Sequence, residues 1–169
     1  MIKIDHFTRV EFRRFKAFKL FTLPIKQFNI LVGPNNAGKS TVLAAFRILA
    51  AALRTAFARA PQVVRGPDGQ TFGYVVDLDS VSVAEESIFF NYDDSEPAMV
   101  SFRLSNGNTL TLFFPEMGRC LLIPDAQGKS IRTAKAFRDN FNCSIGFVRQ
   151  LGMMLKCLRL SRIDSSNSE

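Results

Sequence analysis

The sequence predicts an α/β fold: a mixed sheet, one long helix packed on it, and a set of antiparallel strands that follow. Three observations carry that prediction. Residues 33–40, Gly33-Pro34-Asn35-Asn36-Ala37-Gly38-Lys39-Ser40, fill every fixed position of the phosphate-loop pattern G-x-x-x-x-G-K-[ST]. They lie between a strand-like run and a helix-like run. Two further strand-like runs precede the loop too closely for a crossover helix, which requires an antiparallel pair at the start of the chain. Residues 98–114 alternate apolar and polar around an Asn-Gly turn, the pattern of a hairpin.

Taken in order, residues 2–12 alternate loosely and hold β-branched and aromatic positions, so they read as a first strand. Residues 18–23 read as a second, stopped by Pro24. Phe28-Asn29-Ile30-Leu31-Val32 is a short apolar run, read as the buried strand that enters the loop. Residues 41–60 contain no Gly or Pro, and Val42, Phe46, Leu49, Leu53 and Phe57 recur at helical spacing. They predict a helix with one apolar stripe on the sheet, with Arg47, Arg54 and Arg59 off it. Pro61 ends the helix, and residues 66–69 read as an exposed loop.

Residues 70–97 fit no single period. Tyr74-Val75-Val76-Asp77 imitates a strand ending in a Mg²⁺-organising aspartate. Only three apolar residues precede Asp77, however, and Leu78-Asp79 follows where a catalytic Glu is needed. Leu121-Leu122-Ile123-Pro124-Asp125 imitates the same motif, but Pro124 lacks a ladder donor and signals a turn. Asp93-Asp94-Ser95-Glu96 reads as a solvated acidic turn rather than a cation site. The hairpin of residues 98–114 comes next. Its turn, Leu104-Ser105-Asn106-Gly107-Asn108, resembles an L-S-G-G-Q signature but is explained by hairpin chemistry. A third strand over 120–123, a turn over 125–129, a short helix over 133–140 and a strand over 144–148 complete the prediction.

Composition narrows the function classes. The chain has 169 residues, 47% of them apolar and 22% charged, which suits one domain. No uninterrupted apolar run reaches the roughly 18 residues of a membrane span, and the N-terminus has no secretory pattern, so a cytoplasmic location is expected. Cys120, Cys143 and Cys157 have no C-x-x-C spacing and read as reduced thiols. His6 is the single histidine, which excludes a histidine cluster or a Ser-His pair. Residues 1–60 hold 11 Lys/Arg against 2 Asp/Glu, within a net charge of +7 for the chain. That excess suits a polyphosphate or nucleic acid. It also suits a solvated face balanced elsewhere, and no alternating basic-aromatic pattern separates the two.

The loop's chemistry is specific. Backbone N–H groups and a helix N-terminus form an anion site, Lys39 adds a point charge for the outer phosphates, and Ser40 offers a hydroxyl to Mg²⁺. With this loop after an opening Glu11-Phe12-Arg13-Arg14-Phe15, the chain resembles the N-terminal lobe of ABC-type P-loop ATPases of the SMC/RecF class. It is most similar to the AAA-type ATPases of the OLD nuclease family and their Septu-type anti-phage relatives. In that group an N-F-[RK]-x-F-like motif precedes a G-x-N-x-[AS]-G-K-[ST] loop; here Glu11 replaces the Asn. The resemblance covers about residues 1–148 as an ATP-binding lobe, with an antiparallel β-subdomain after the helix.

The resemblance implies ATP and Mg²⁺ as ligands. Gly33, Pro34, Asn35, Asn36, Ala37 and Gly38 would wrap the phosphates, Lys39 would bridge β and γ, Ser40 would hold Mg²⁺, and Thr41 the α-phosphate. Arg13 or Arg14 would lie near the nucleotide, against the alternative of a solvated strand end. It also implies a second ATPase head, DNA and a nuclease as partners, no membrane, and a role in DNA repair or antiviral defence. The Q-loop, signature, Walker B Asp-Glu pair and switch His of that group are missing from this sequence. The expectation is therefore weak ATP binding and negligible hydrolysis by this chain alone. From Arg149 the sequence turns basic and Met-rich, so residues 149–169 are expected to be a frameshifted or truncated tail, or a disordered one. Other readings are a non-catalytic nucleotide- or partner-binding fragment, and an ABC transporter nucleotide-binding subunit. The Asn35-Asn36-Ala37 loop argues against the last. A GTPase is disfavoured, since no [NT]-K-x-D motif occurs.

Overall fold

The computed structural model describes residues 5–26, 34, 37–81, 88–143 and 145. The strand expected over 28–32, the last strand over 144–148 apart from residue 145, and the tail from 149 lie outside the described residues. Within them are eight strands: β1 (Phe7–Phe15), β2 (Phe18–Pro24), β3 (Gln62–Gly66), β4 (Gly69–Val76), β5 (Ala98–Leu104), β6 (Thr109–Phe114), β7 (Cys120–Ala126) and β8 (Lys129–Ser130). Two helices, α1 (Lys39–Ala58) and α2 (Ala134–Asn140), accompany them.

The strands form one sheet in the order β2-β1-β5-β6-β7-β4-β3, with β8 paired to β7. Every described pairing is antiparallel. The parallel pairing of a mixed sheet would involve residues 28–32, outside the described set. β1 and β2 form the early antiparallel pair expected, joined by a two-residue turn at Lys16-Ala17. The hairpin β5–β6 pairs as the alternation requires, with Val100 opposite Leu112 and Phe102 opposite Leu110. It hydrogen-bonds directly to β1 and so sits mid-sheet.

Burial on the inner face explains the phenylalanines. Phe7, Phe46 and Phe102 meet edge-to-face with centroids 5.1–5.9 Å apart, joining β1, α1 and β5. Phe12, Phe15 and Phe102 are fully buried. α2 closes the other end, where Phe137 packs on Phe57 of α1 and on Tyr74. Thr133 caps α2 by accepting from the Ala136 N–H at 3.1 Å.

Three expectations need correction. The helix is buried on more than one face: Leu43, Ala44, Ile48 and Ala50 are buried beside the predicted stripe, while Phe57 is only partly covered. It is also long and apolar enough to cross a membrane, although 72% of its most apolar stretch is buried within the fold, as in a core helix. Pro67, Asp68 and Gly69 are exposed as expected, but residues 66–69 form a tight turn rather than a longer loop. They close the hairpin β3–β4, whose turn is Pro67-Asp68, and Gly66 is buried. Finally, Pro124 continues β7 opposite Leu110. On the other side of β7, pairing with β4 stops at Leu122 and pairing with β8 begins at Asp125, so the strand reaches past the expected turn.

Gly73 lets β4 lie close against its neighbour β7. A Cβ there would fall 2.8 Å from the Leu122 carbonyl and 3.0 Å from Val64. Backbone approaches that closely only at glycine. The hairpin thereby folds Val64 onto Phe113 and Leu121 in a small second core.

Candidate functional site

The site is built where α1 begins. Gly38 takes φ +79°, the left-handed conformation that glycine adopts without strain, and hands the chain directly into the helix. A Cβ on Gly38 would run into the Phe18 ring, 2.6 Å from Cε1 and closer still to Cζ. Phe18 opens β2 and is stacked on Phe21 at 4.5 Å and packed on Phe12 at 5.1 Å. The aromatic cluster of the first hairpin thus holds the end of the loop from below.

The first turn of α1 contains no acidic residue, so its N-terminal dipole is uncompensated by the helix's own side chains. Lys39 reaches back and donates Nζ to the Pro34 carbonyl at 2.7 Å, placing its ammonium over the loop. Ser40 is exposed and Thr41 is buried. The residues present fit a polyphosphate: a left-handed glycine leading into a helix N-terminus, an ammonium held back toward Pro34, and a hydroxyl open to solvent. Gly33, Asn35 and Asn36 lie outside the described residues.

Arg13 is exposed on β1, beside buried Phe12. Arg14 is turned elsewhere. Its Nη2 lies 2.7 Å from Asp93 Oδ2, its Nη1 3.4 Å from Glu96, and its Nε is buried without a hydrogen-bond partner. The acidic turn predicted as solvated is exposed, and it is also the counter-charge for Arg14. Hydrogen bonds from Ser95 first, then the Arg14 guanidinium, hold the Asp93 carboxyl down at about 2.

A cleft of about 310 Å³ lies alongside, lined by Lys16, Ala17, Thr41, Phe89, Asn91 and Tyr92. Its two walls are tied together. The Lys16 N–H donates to the Ile88 carbonyl at 2.7 Å, and Phe15 bridges to Phe89. Partial burial pushes the Lys16 ammonium below the ordinary lysine range. Sequence reasoning missed this wall, because residues 89–92 have no periodicity and reach the loop only through folding.

Two of the three look-alike motifs are accounted for locally. Asp77 follows β4, is exposed, and accepts the Asp79 N–H at 3.0 Å. In the hairpin turn, Asn106 donates to Asp5 at 2.9 Å, and Asn108 donates to the Asn140 carbonyl at 2.9 Å. Those side chains hold α2 and the N-terminal segment in place. Cys120 and Cys143 are buried, and burial pushes the Cys120 thiol far up, which makes it unreactive. Among the described residues no group of His, Cys, Asp and Glu is arranged to hold a metal.

Residues 28–138 match the family model described as "AAA domain, putative AbiEii toxin, Type IV TA system". The chain belongs to this AAA-domain family. The match starts at the strand expected before the loop and ends within α2, so it spans the loop, α1 and strands β3 to β8. No curated protein matches the chain. This AAA domain is therefore a P-loop ATPase by family, with a nucleotide-binding, ATPase-type function and ATP with Mg²⁺ as the family's ligand. Its antiparallel sheet with α1 packed on one face is consistent with that assignment.

Proposed function

We propose that this chain binds Mg-ATP through residues 33–41 and acts as the nucleotide-binding part of an SMC/RecF/OLD-like ATPase. The observation that carries the reading is the junction at Gly38: a left-handed glycine, a lysine ammonium folded over the loop, and a helix N-terminus without acidic side chains. Lys39 would bridge the β- and γ-phosphates, Ser40 would meet Mg²⁺, and Thr41 would meet the α-phosphate. Bound Mg-ATP supplies a phosphoryl group whose transfer depends on positioning and charge stabilisation. The described residues offer the phosphate half of that positioning. Asp77, the aspartate that best imitates the other half, is engaged in its own turn.

The chain alone therefore binds ATP and turns it over negligibly, and a second ATPase head completes the site. Titration calorimetry with Mg-ATP tests the binding: heat of binding for the wild type, lost in Lys39→Ala, supports it. Robust Lys39-dependent phosphate release by the purified chain contradicts the claim of negligible turnover. The role we propose is DNA metabolism or phage defence, with a nuclease partner. The toxin–antitoxin wording of the family description favours defence, and a Toprim or HNH nuclease gene next to this one would support it.

A further inference from the structure

The cleft beside α1 is built from two segments distant in sequence, the Lys16-Ala17 turn and residues 89–92, and Thr41 joins it to the phosphate loop. Five described residues other than glycine take positive φ, and four of them surround this place: Arg14 (50°), Lys16 (51°), Asn91 (56°) and Tyr92 (58°). The hairpin turn accounts for Lys16 and asparagine takes this backbone readily, but at Arg14 and Tyr92 it costs free energy, and such positions gather where a particular side-chain placement matters. Tyr92 is 76% exposed, a large ring held out at the rim rather than used for packing. Directly after it, Asp93 is anchored by Arg14, which fixes the segment to the first hairpin. At about 310 Å³ the cleft is at the small end of ligand sites, with room for a nucleoside but not for a macromolecular chain.

We propose that this cleft is the nucleoside subsite: the base of a nucleoside triphosphate stacks on the Tyr92 ring, Asn91 hydrogen-bonds base or ribose, and Lys16 faces the α-phosphate. The inference rests on the reading of residues 33–41 as a triphosphate site. Thr41 is the shared wall, so a ligand with its phosphates over Lys39 has its sugar leaving toward Ala17 and Phe89. Every base has a π-face, so stacking on Tyr92 gives affinity with little choice among bases. Any such choice falls to Asn91.

The test separates this subsite from the phosphate loop by using two probes, Mg-ATP and inorganic tripolyphosphate, on the same chain. The expected result is that Tyr92→Ala weakens ATP by about tenfold, within the range of base–aromatic stacking, and leaves tripolyphosphate unchanged. Tyr92→Phe retains wild-type affinity for both, and Lys39→Ala weakens both. Because Tyr92 is mostly exposed, its replacement leaves the core intact, which a circular dichroism melt verifies. If Lys39→Ala weakens both probes while Tyr92→Ala binds ATP like the wild type, or loses both probes equally, the nucleoside subsite is wrong and the phosphate reading stands. If the wild type binds neither probe, both fall.

Discussion

Adding one methyl group at Gly38 perturbs the site through two separable effects. The backbone there has φ +79°, and an L-residue in that region costs about 1–2 kcal/mol. The new Cβ also overlaps the Phe18 ring, which cannot swing away freely because it is stacked on Phe21 at 4.5 Å and packed on Phe12 at 5.1 Å. Forcing extra volume into such a contact costs about 1–3 kcal/mol. Gly38→Ala is therefore expected to lose about 2–5 kcal/mol, or roughly 4–20 °C in Tm for a chain of this size. In a Phe18→Ala background the overlap is gone and only the backbone cost of about 1–2 kcal/mol remains. The four proteins form a double-mutant cycle, read by urea unfolding, with a coupling of about 1–3 kcal/mol. A Gly38→Ala protein as stable as the wild type, or a cost unchanged by Phe18→Ala, refutes the claim that the first hairpin holds the loop through this contact.

Two further predictions follow from buried and paired polar groups. The Tyr74 hydroxyl is buried without a hydrogen-bond partner, and burial, opposed by Arg138, pushes its pKa up to about 12. Tyr74→Phe is expected to stabilise the protein by about 1 kcal/mol, raising Tm by roughly 2–4 °C; a loss of similar size would mean that the hydroxyl has a partner. The Asp93 carboxyl is held at about 2, below its ordinary 3.8, so its contribution to stability is present above pH 3.8 and is lost as pH falls through about 2. Asp93→Asn should therefore melt below the wild type at pH 6 and together with it at pH 2. An exposed pair contributes little, so a small gap is expected, and a gap that persists at pH 2 contradicts the assignment.

The sequence made the regular parts of this fold readable where one period ruled a whole segment. Residues 98–114 alternate around Asn106-Gly107, and their hairpin formed, with Ser105 joining these two in the connection between Leu104 and Asn108. The stripe from Val42 to Leu53 placed α1, and Thr133 marked the start of α2. Errors arose where local chemistry has two outcomes. Gly-Pro-Asp-Gly at residues 66–69 reads as an exposed loop; Pro67, Asp68 and Gly69 are exposed, but the four residues make a tight turn with Gly66 buried once Val64 has Phe113 and Leu121 to pack on. Pro124 cannot donate to a ladder, which ends a strand only where a neighbour is waiting for that donor; here β4 and β8 leave a gap beside it. At the site, the fixed loop positions were legible because their chemistry is local. Phe18 under Gly38, Arg14 against Asp93, and Tyr92 across from Ala17 were not. Each depends on segments joined by the sheet rather than by spacing along the chain.

The central claim is that the loop before α1 receives the phosphates of ATP. Amide hydrogen exchange with and without Mg-ATP tests it residue by residue. The account predicts slowed exchange at the amides of Gly38, Lys39, Ser40 and Thr41 on adding Mg-ATP, and no slowing in Lys39→Ala. Unchanged exchange at these four amides under saturating Mg-ATP, or protection that persists without Lys39, would contradict it.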